Sequence, residues 1–289
     1  MTTEEIHLEP LLGDLGYSCI FTGVQVTKQD GEHVLPKWMR NAYNLHQQPI
    51  EMGQTERFAK VHTFRAPAEP VANGDFGKVE ARVKQQDASL DELHLWSKKI
   101  SVGMIWNHWR LSGNSRHPHA PLPFDERHLR FVLQDFQEEF VLWRERQYVR
   151  TGSTVKLATG IEGVWLLHAF GATVDEGYSI THDLIKPYGY TAINYKKNLI
   201  VSSFYDGQTL ETGPFLEQWA SAGLDKETDQ VRIRAGLAKI FAQHAATEIS
   251  KLVGKNTKVD ELHRLLAYQL GIIVSDDGKT YRPRMSEDV

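Results

Sequence analysis

Helical and strand-like runs follow one another in this chain in blocks, and that order constrains its fold more than any other feature. Leu93, Trp96, Ile100, Gly103, Trp106 and Arg110 recur at helical spacing, and a second helix is expected over about 125–149, with Leu129, Val132, Leu133, Phe136, Phe140 and Trp143 on one side. From 154 to 205 the character turns to β in "VWLLHAFGATV", "TAINY" and "LIVSSFY". It returns to helix in "DQVRIRAGLAKIFAQHAATEISKLV" and "VDELHRLLAYQL", and the chain closes with "IIVSDDGKTYRPRM", where Asp277-Gly278 suits a hairpin turn. Segregated blocks of this kind predict an α+β fold and exclude a sheet of alternating βα units.

Ahead of these blocks lies a shorter, irregular region. "YSCIF" and "AKVHTF" read as β-rich runs, and "PKWMRNAYNLH" as a helix opened by Pro36. "RAPAEPVANGDFG" carries the Pro and Gly punctuation of a loop, after which "KVEARVKQQ" forms a short helix. Ser89 followed by Glu92 in "SLDE" is a capping box that starts the first long helix. With 289 residues the chain has room for more than one core, and the change of pattern places two modules. One spans 1–88; the other spans 89–289, with long helices over 89–150, β-rich chain over 154–207 and helix over 214–270.

Charge and composition narrow the function classes. A net charge of -4 argues against a surface that binds nucleic acid all over, though a local basic cleft is compatible with it. The start "MTTEEIHLEP" is acidic, unlike a signal peptide, and no apolar run reaches the length of a membrane span. A cytoplasmic protein with no membrane partner is the expectation. The single cysteine, Cys19, excludes an internal disulfide and any zinc knuckle made of cysteine alone.

The stretch "DGEHVLPKWM" holds the first chemical candidate. A histidine beside a carboxylate can act as a general base at neutral pH while the carboxylate holds a divalent cation; a solvated turn or cap is the plainer alternative. "CIFTG" upstream, "EHVLPKW" and the later "PVANGDFGKVE" together resemble the HNH endonuclease family, in the subgroup whose first motif has the acid-His-Val/Ile-Leu/Ile-Pro-Lys-Trp form. That subgroup places a Cys-x-x-Cys pair before the motif and a Cys-x-x-Cys-Asn after it, leading into a helix that carries a glutamate. Here Cys19 matches the first cysteine, Thr22 replaces the second, Ala72-Asn73 stands at Cys-Asn, and Glu80 matches the helix glutamate. The resemblance covers residues 17–86.

The resemblance implies an N-terminal ββα-metal finger followed by a larger mixed helical and β domain. It implies His33 as general base, Asn73 as the second catalytic position, and Glu32, Asp75 and Glu80 as carboxylates near one divalent cation (Mg, Mn or Ni). No structural zinc is expected, since the knuckle cysteines are largely lost. Apolar packing from Ile20, Phe21, Leu35, Trp38, Phe64 and Phe76 would hold such a finger instead. The implied activity is metal-dependent cleavage of nucleic acid, with DNA favoured, in a setting such as bacterial or phage defence. The alternative is a degenerate finger that only binds nucleic acid or protein. Residues 89–289 would then choose the substrate, bind a protein partner or form a homo-oligomer.

Other candidates carry plainer readings. His117, His119 and His128 with Asp125 could hold a metal, but a Pro-rich loop between helices explains the segment without one. Trp96, Trp106, Trp109 and Trp143 could stack bases, yet their helical spacing favours core packing. "NYKKN" could touch phosphate and suits a hairpin turn. Neither a nucleotide-binding glycine motif nor a serine nucleophile elbow is present.

Overall fold

This computed structural model describes residues 13–27, 31–47, 49–52, 55–112, 126–170, 189–204, 215–253, 272–274 and 281–283, and among them six helices and ten strands build an α+β fold. The chain divides into two compact units, 1–150 and 151–289.

In the first unit the order is β1 (Glu32–His33), α1 (Lys37–Ala42), β2 (Pro49–Met52), β3 (Thr55–Lys60), β4 (Arg65–Ala66), α2 (Pro70–Gln85), α3 (Leu90–Ser112) and α4 (Glu126–Arg144). β1 and β4 pair antiparallel, with Glu32 opposite Ala66 and His33 opposite Arg65; β2 pairs with β3. "YSCIF" is not a strand: a single bridge joins Ser18 to Gln25, and between them the chain folds into a tight turn closed by Cys19 N–H to Val24 O (2.9 Å) and Gly23 N–H to Cys19 O (2.8 Å). "AKVHTF" is strand only through Lys60 and then turns through Val61–Thr63. Pro36 caps α1 from just outside its first residue.

The segment expected as a loop, "RAPAEPVANGDFG", is a correction: from Pro70 onward it is the first half of α2. Asn73, Gly74 and Gly77 weaken helix propensity locally, but Pro70 opens the helix, and Ala72, Phe76, Val79 and Val83 form one buried stripe along it. Packing of that stripe outweighs local preference.

The capping box forms as read. Glu92 N–H reaches Ser89 Oγ at 3.2 Å and Ser89 N–H reaches Glu92 Oε2 at 3.1 Å. From Leu93 to Asn107 every residue of α3 is buried, the signature of a helix enclosed on all sides. Trp96 and Trp106 lie in this core, as their spacing predicted. Phe21 from the Cys19 turn, Phe76 from α2, and Phe136 and Phe140 from α4 pack as one aromatic group, with centroids 5.1–6.3 Å apart. The helices of 89–150 therefore complete the core of the residues before them. That is why the units divide after Arg150, whereas the change of sequence pattern at residue 88 falls inside the first unit. α4 ends at Arg144, short of the expected 149, with Arg146 at φ 61° behind it.

Close backbone approach fixes the site-bearing strand. A Cβ on Gly31 would stand 2.7 Å from Ala68 O and 2.9 Å from Ala68 N. Gly31→Ala is therefore expected to destabilise the first unit by about 1–3 kcal/mol, because backbone cannot yield as a side chain does. Urea denaturation checks this; an unchanged midpoint would mean that β1 moves freely.

The second unit is a four-stranded antiparallel sheet of β5 (Ser153–Ala158), β6 (Trp165–Phe170), β7 (Gly189–Tyr195) and β8 (Asn198–Phe204), in the order β5-β8-β7-β6. α5 (Phe215–Ser221) and α6 (Gln230–Val253) follow, then the antiparallel pair β9 (Ile272–Val274) and β10 (Tyr281–Pro283). One core joins Ala192, Leu199 and Val201 of the sheet to Phe215, Trp219, Ile233, Leu237 and Phe241 of the helices. "NYKKN" is the hairpin turn its sequence suggested, with Lys196 and Lys197 both at positive φ (46° and 63°), as a two-residue type I′ connection requires. "VDELHRLLAYQL", Asp277-Gly278, and His117, His119 and Asp125 fall outside the described residues; the same holds for the side chain of His128. No helix among the described residues is long and apolar enough to cross a membrane.

Candidate active site around His33

Successive residues of a strand point to opposite faces, so Glu32 and His33 diverge at once. Glu32 turns into the core and is buried, while His33 is only partly covered. Directly across the ladder from His33 stands Arg65, its cross-strand partner.

On the inner side, Glu32 meets Lys99 of α3 in an ion pair, and Glu80 of α2 accepts from the same ammonium at 3.0 Å. Lys99 Nζ also donates to His33 O (2.6 Å) and Val34 O (3.2 Å). Its side chain is wholly inaccessible to solvent. Burial alone would favour the neutral amine, but Glu32 and then Glu80 outweigh it and hold the ammonium charged above the ordinary lysine range. Burial pushes the Glu80 carboxyl up, while Lys99 opposes that shift.

The charges that act on the His33 imidazole are cationic. His33 titrates at about 4, far below an ordinary histidine, first because it is partly desolvated and then because Arg40, Arg65, Lys99 and Lys37 repel a second positive charge. The imidazole is thus neutral at physiological pH, the form that accepts a proton. Arg40 is 3% exposed, and its Nε has no hydrogen-bond partner among the described residues. Its Nη1 lies 3.4 Å from His46 Nδ1, and its charge is partly offset by Glu32 and Glu80, so Arg40 acts on His33 as a buried positive charge.

The signs of these shifts give a pH prediction. A histidine whose folded pKa lies at about 4, below its unfolded value of 6.5, binds fewer protons in the folded state. Stability should therefore fall as pH drops through the window from 6.5 to 4. His33→Gln is expected to flatten part of that slope in a Tm-versus-pH series, and an unchanged slope would contradict the assigned environment.

The remaining expected site residues divide. Asn73 and Glu80 are seven positions apart on α2 and share a flank, about 10 Å apart along the axis. No hydrogen bond joins the side chains of Asn73 and His33 among the described residues; Asn73 N–H donates to Glu69 O at 2.9 Å, in the first turn of α2. Asp75 lies on the other flank, with Lys78 at 2.7 Å and Arg144 of α4 at 3.3 Å, so the structure does not bring it to His33, Glu32 and Glu80. Among the described residues no three His, Cys, Asp or Glu side chains gather in a metal-binding group. The Glu32 and Glu80 carboxylates do converge, but on Lys99, and so do not fit a divalent cation as they stand.

Residues 19–22 and the entry to α2 also meet. Cys19 Sγ accepts the Glu69 N–H at 3.2 Å, Thr22 Oγ1 donates to Glu69 Oε2 at 3.4 Å, and Ile20 N–H donates to Pro67 O at 2.9 Å. Glu69 stands three residues before Ala72, where the first member of the second Cys-x-x-Cys would fall. The turn at 19–22 and the entry to α2 are thus tied by hydrogen bonds.

Sequence reasoning missed Lys99, Arg40 and Arg65. Lys99 had a readable signal: it lies between Trp96 and Gly103 on the apolar face of α3, where a lysine requires a buried carboxylate. Arg65 could be found only through the β1–β4 register. Searches of protein-family models, curated proteins and solved structures find no match to this chain.

Proposed function

We propose that the first unit is an HNH-like ββα module that binds a nucleic-acid phosphate, DNA favoured, and hydrolyses the phosphodiester with His33 as general base. The observation that carries the reading is the meeting of Cys19 and Thr22 with Glu69 at the entry to α2, while β1, bearing His33, pairs with β4 just ahead of that helix. This juxtaposes in space the segments on which the family resemblance rests. In the reaction, neutral His33 takes a proton from water, the hydroxide attacks phosphorus, and the P–O3′ bond breaks as the leaving oxygen gains a proton from solvent. Arg65, across the ladder from His33, neutralises the phosphate, with the buried Arg40 charge behind it. Such an anion offsets the charges that depress the His33 pKa, so binding moves the imidazole toward a stronger base. A cytoplasmic setting accords with this reading, and the second unit would supply substrate choice, a protein contact or self-association.

The engagement of Glu32 and Glu80 by Lys99 favours a second reading, a scaffold of the same shape that binds nucleic acid without cutting it. Plasmid nicking by wild type and His33→Ala, with and without EDTA, decides between them. Nicking that depends on His33 supports the nuclease. Binding without nicking by either protein supports the scaffold.

A further inference from the structure

The oxygens around Lys99 Nζ are those a hard cation takes. Two carboxylates, from Glu32 on β1 and Glu80 on α2, and two main-chain carbonyls, of His33 and Val34, converge on the ammonium. Divalent calcium and magnesium ions are bound by carboxylate and carbonyl oxygens of this kind. An ammonium has three N–H donors, and four oxygens saturate them, leaving no open position for water. The side chain that delivers it arrives from α3 and is fully buried, and the ammonium itself lies 5.7 Å from the Phe76 ring centroid.

We infer that Lys99 is the resident cation of this site: its ammonium takes the place of a divalent metal between Glu32 and Glu80, and the pair binds no metal while Lys99 is present. The inference uses the proposed module only for the expectation that a cation belongs near Glu32. It has a chemical consequence that the metal-dependent reading lacks. A metal ion presents an open coordination position to water or phosphate, whereas this saturated ammonium presents none, so Glu32 and Glu80 position β1 beneath His33 and take no direct part in activating water. Removing the ammonium should leave one buried and one largely covered carboxylate with a strong demand for a replacement cation.

Manganese binding to the full-length protein alone, followed by electron paramagnetic resonance and by Tm, tests the inference without nucleic acid, so its failure is separable from failure of the nuclease reading. Wild type is expected to show no stoichiometric Mn²⁺ binding at micromolar concentration. Lys99→Met is expected to lose roughly 10 °C in Tm, to bind one Mn²⁺ at least about tenfold more tightly than wild type, and to recover stability as it does so. Adding Glu32→Gln to Lys99→Met should abolish that gain. One tightly bound Mn²⁺ in wild type that Glu32→Gln removes would overturn the inference, and so would a folded Lys99→Met that binds none. Should Lys99→Met not fold, the comparison of wild type with Glu32→Gln decides: binding by the first and not the second overturns the inference, and no tight binding by either supports it.

Discussion

Replacing His33 with alanine is expected to lower phosphodiester cleavage by about 10²- to 10⁴-fold, the usual contribution of a general base, while leaving the fold in place. The two effects separate because the parts of His33 do different things. Its main-chain carbonyl receives the Lys99 ammonium at 2.6 Å and its backbone pairs with Arg65, and both survive the substitution. The imidazole is partly covered and held neutral, with its pKa near 4, by burial and the surrounding cations. Nicking rates measured beside circular dichroism and Tm give both readouts. Cleavage undiminished in His33→Ala would place the base elsewhere and remove the nuclease reading from this corner.

Phe76→Ala should cost about 3–5 kcal/mol, among the largest effects available to a single truncation in the first unit. Phe76 is 1% exposed and touches three other rings, Phe21 at 5.1 Å, Phe140 at 6.0 Å and Phe136 at 6.3 Å. It therefore couples the Cys19 turn to α2 and α4. Apolar packing was expected to hold a finger with one cysteine, and this ring is where that packing converges. Urea denaturation would report the loss as a lower midpoint that added zinc does not restore. A change under 1 kcal/mol would mean that the turn and the helix are held together by something other than this aromatic group.

What the sequence showed and what it hid follow from the range of the signals. The capping box at Ser89 and Glu92, the β7–β8 turn at Lys196-Lys197 and the core positions of Trp96 and Trp106 are written within a few residues, and each appears in place. The first half of α2 was hidden because Pro70, Gly74 and Gly77 are strong local signs of a loop, while the reason for a helix is its buried stripe, with Phe76 packed on Phe21, Phe136 and Phe140 far along the chain. The boundary at residue 88 was misleading for the same reason. A change of period marks where elements change and says nothing of which elements share a core. At the site, Glu32 and His33 were legible as a dipeptide, but their divergence to opposite faces, and the capture of Glu32 by Lys99, depend on the β1–α3 packing that brings them together.

The enclosure of α3 bears on how this module could be inherited or moved. Its ammonium underlies the strand that carries His33, Val34 packs against Gly103, and Asn107 donates to Arg65 O at 3.0 Å, so the platform beneath β1 and β4 is encoded downstream of the motif it supports. A site whose residues all lie in one short segment can be moved as a cassette; here a break between β4 and α3 would part Glu32 and His33 from the Lys99 and Asn107 that hold their strands.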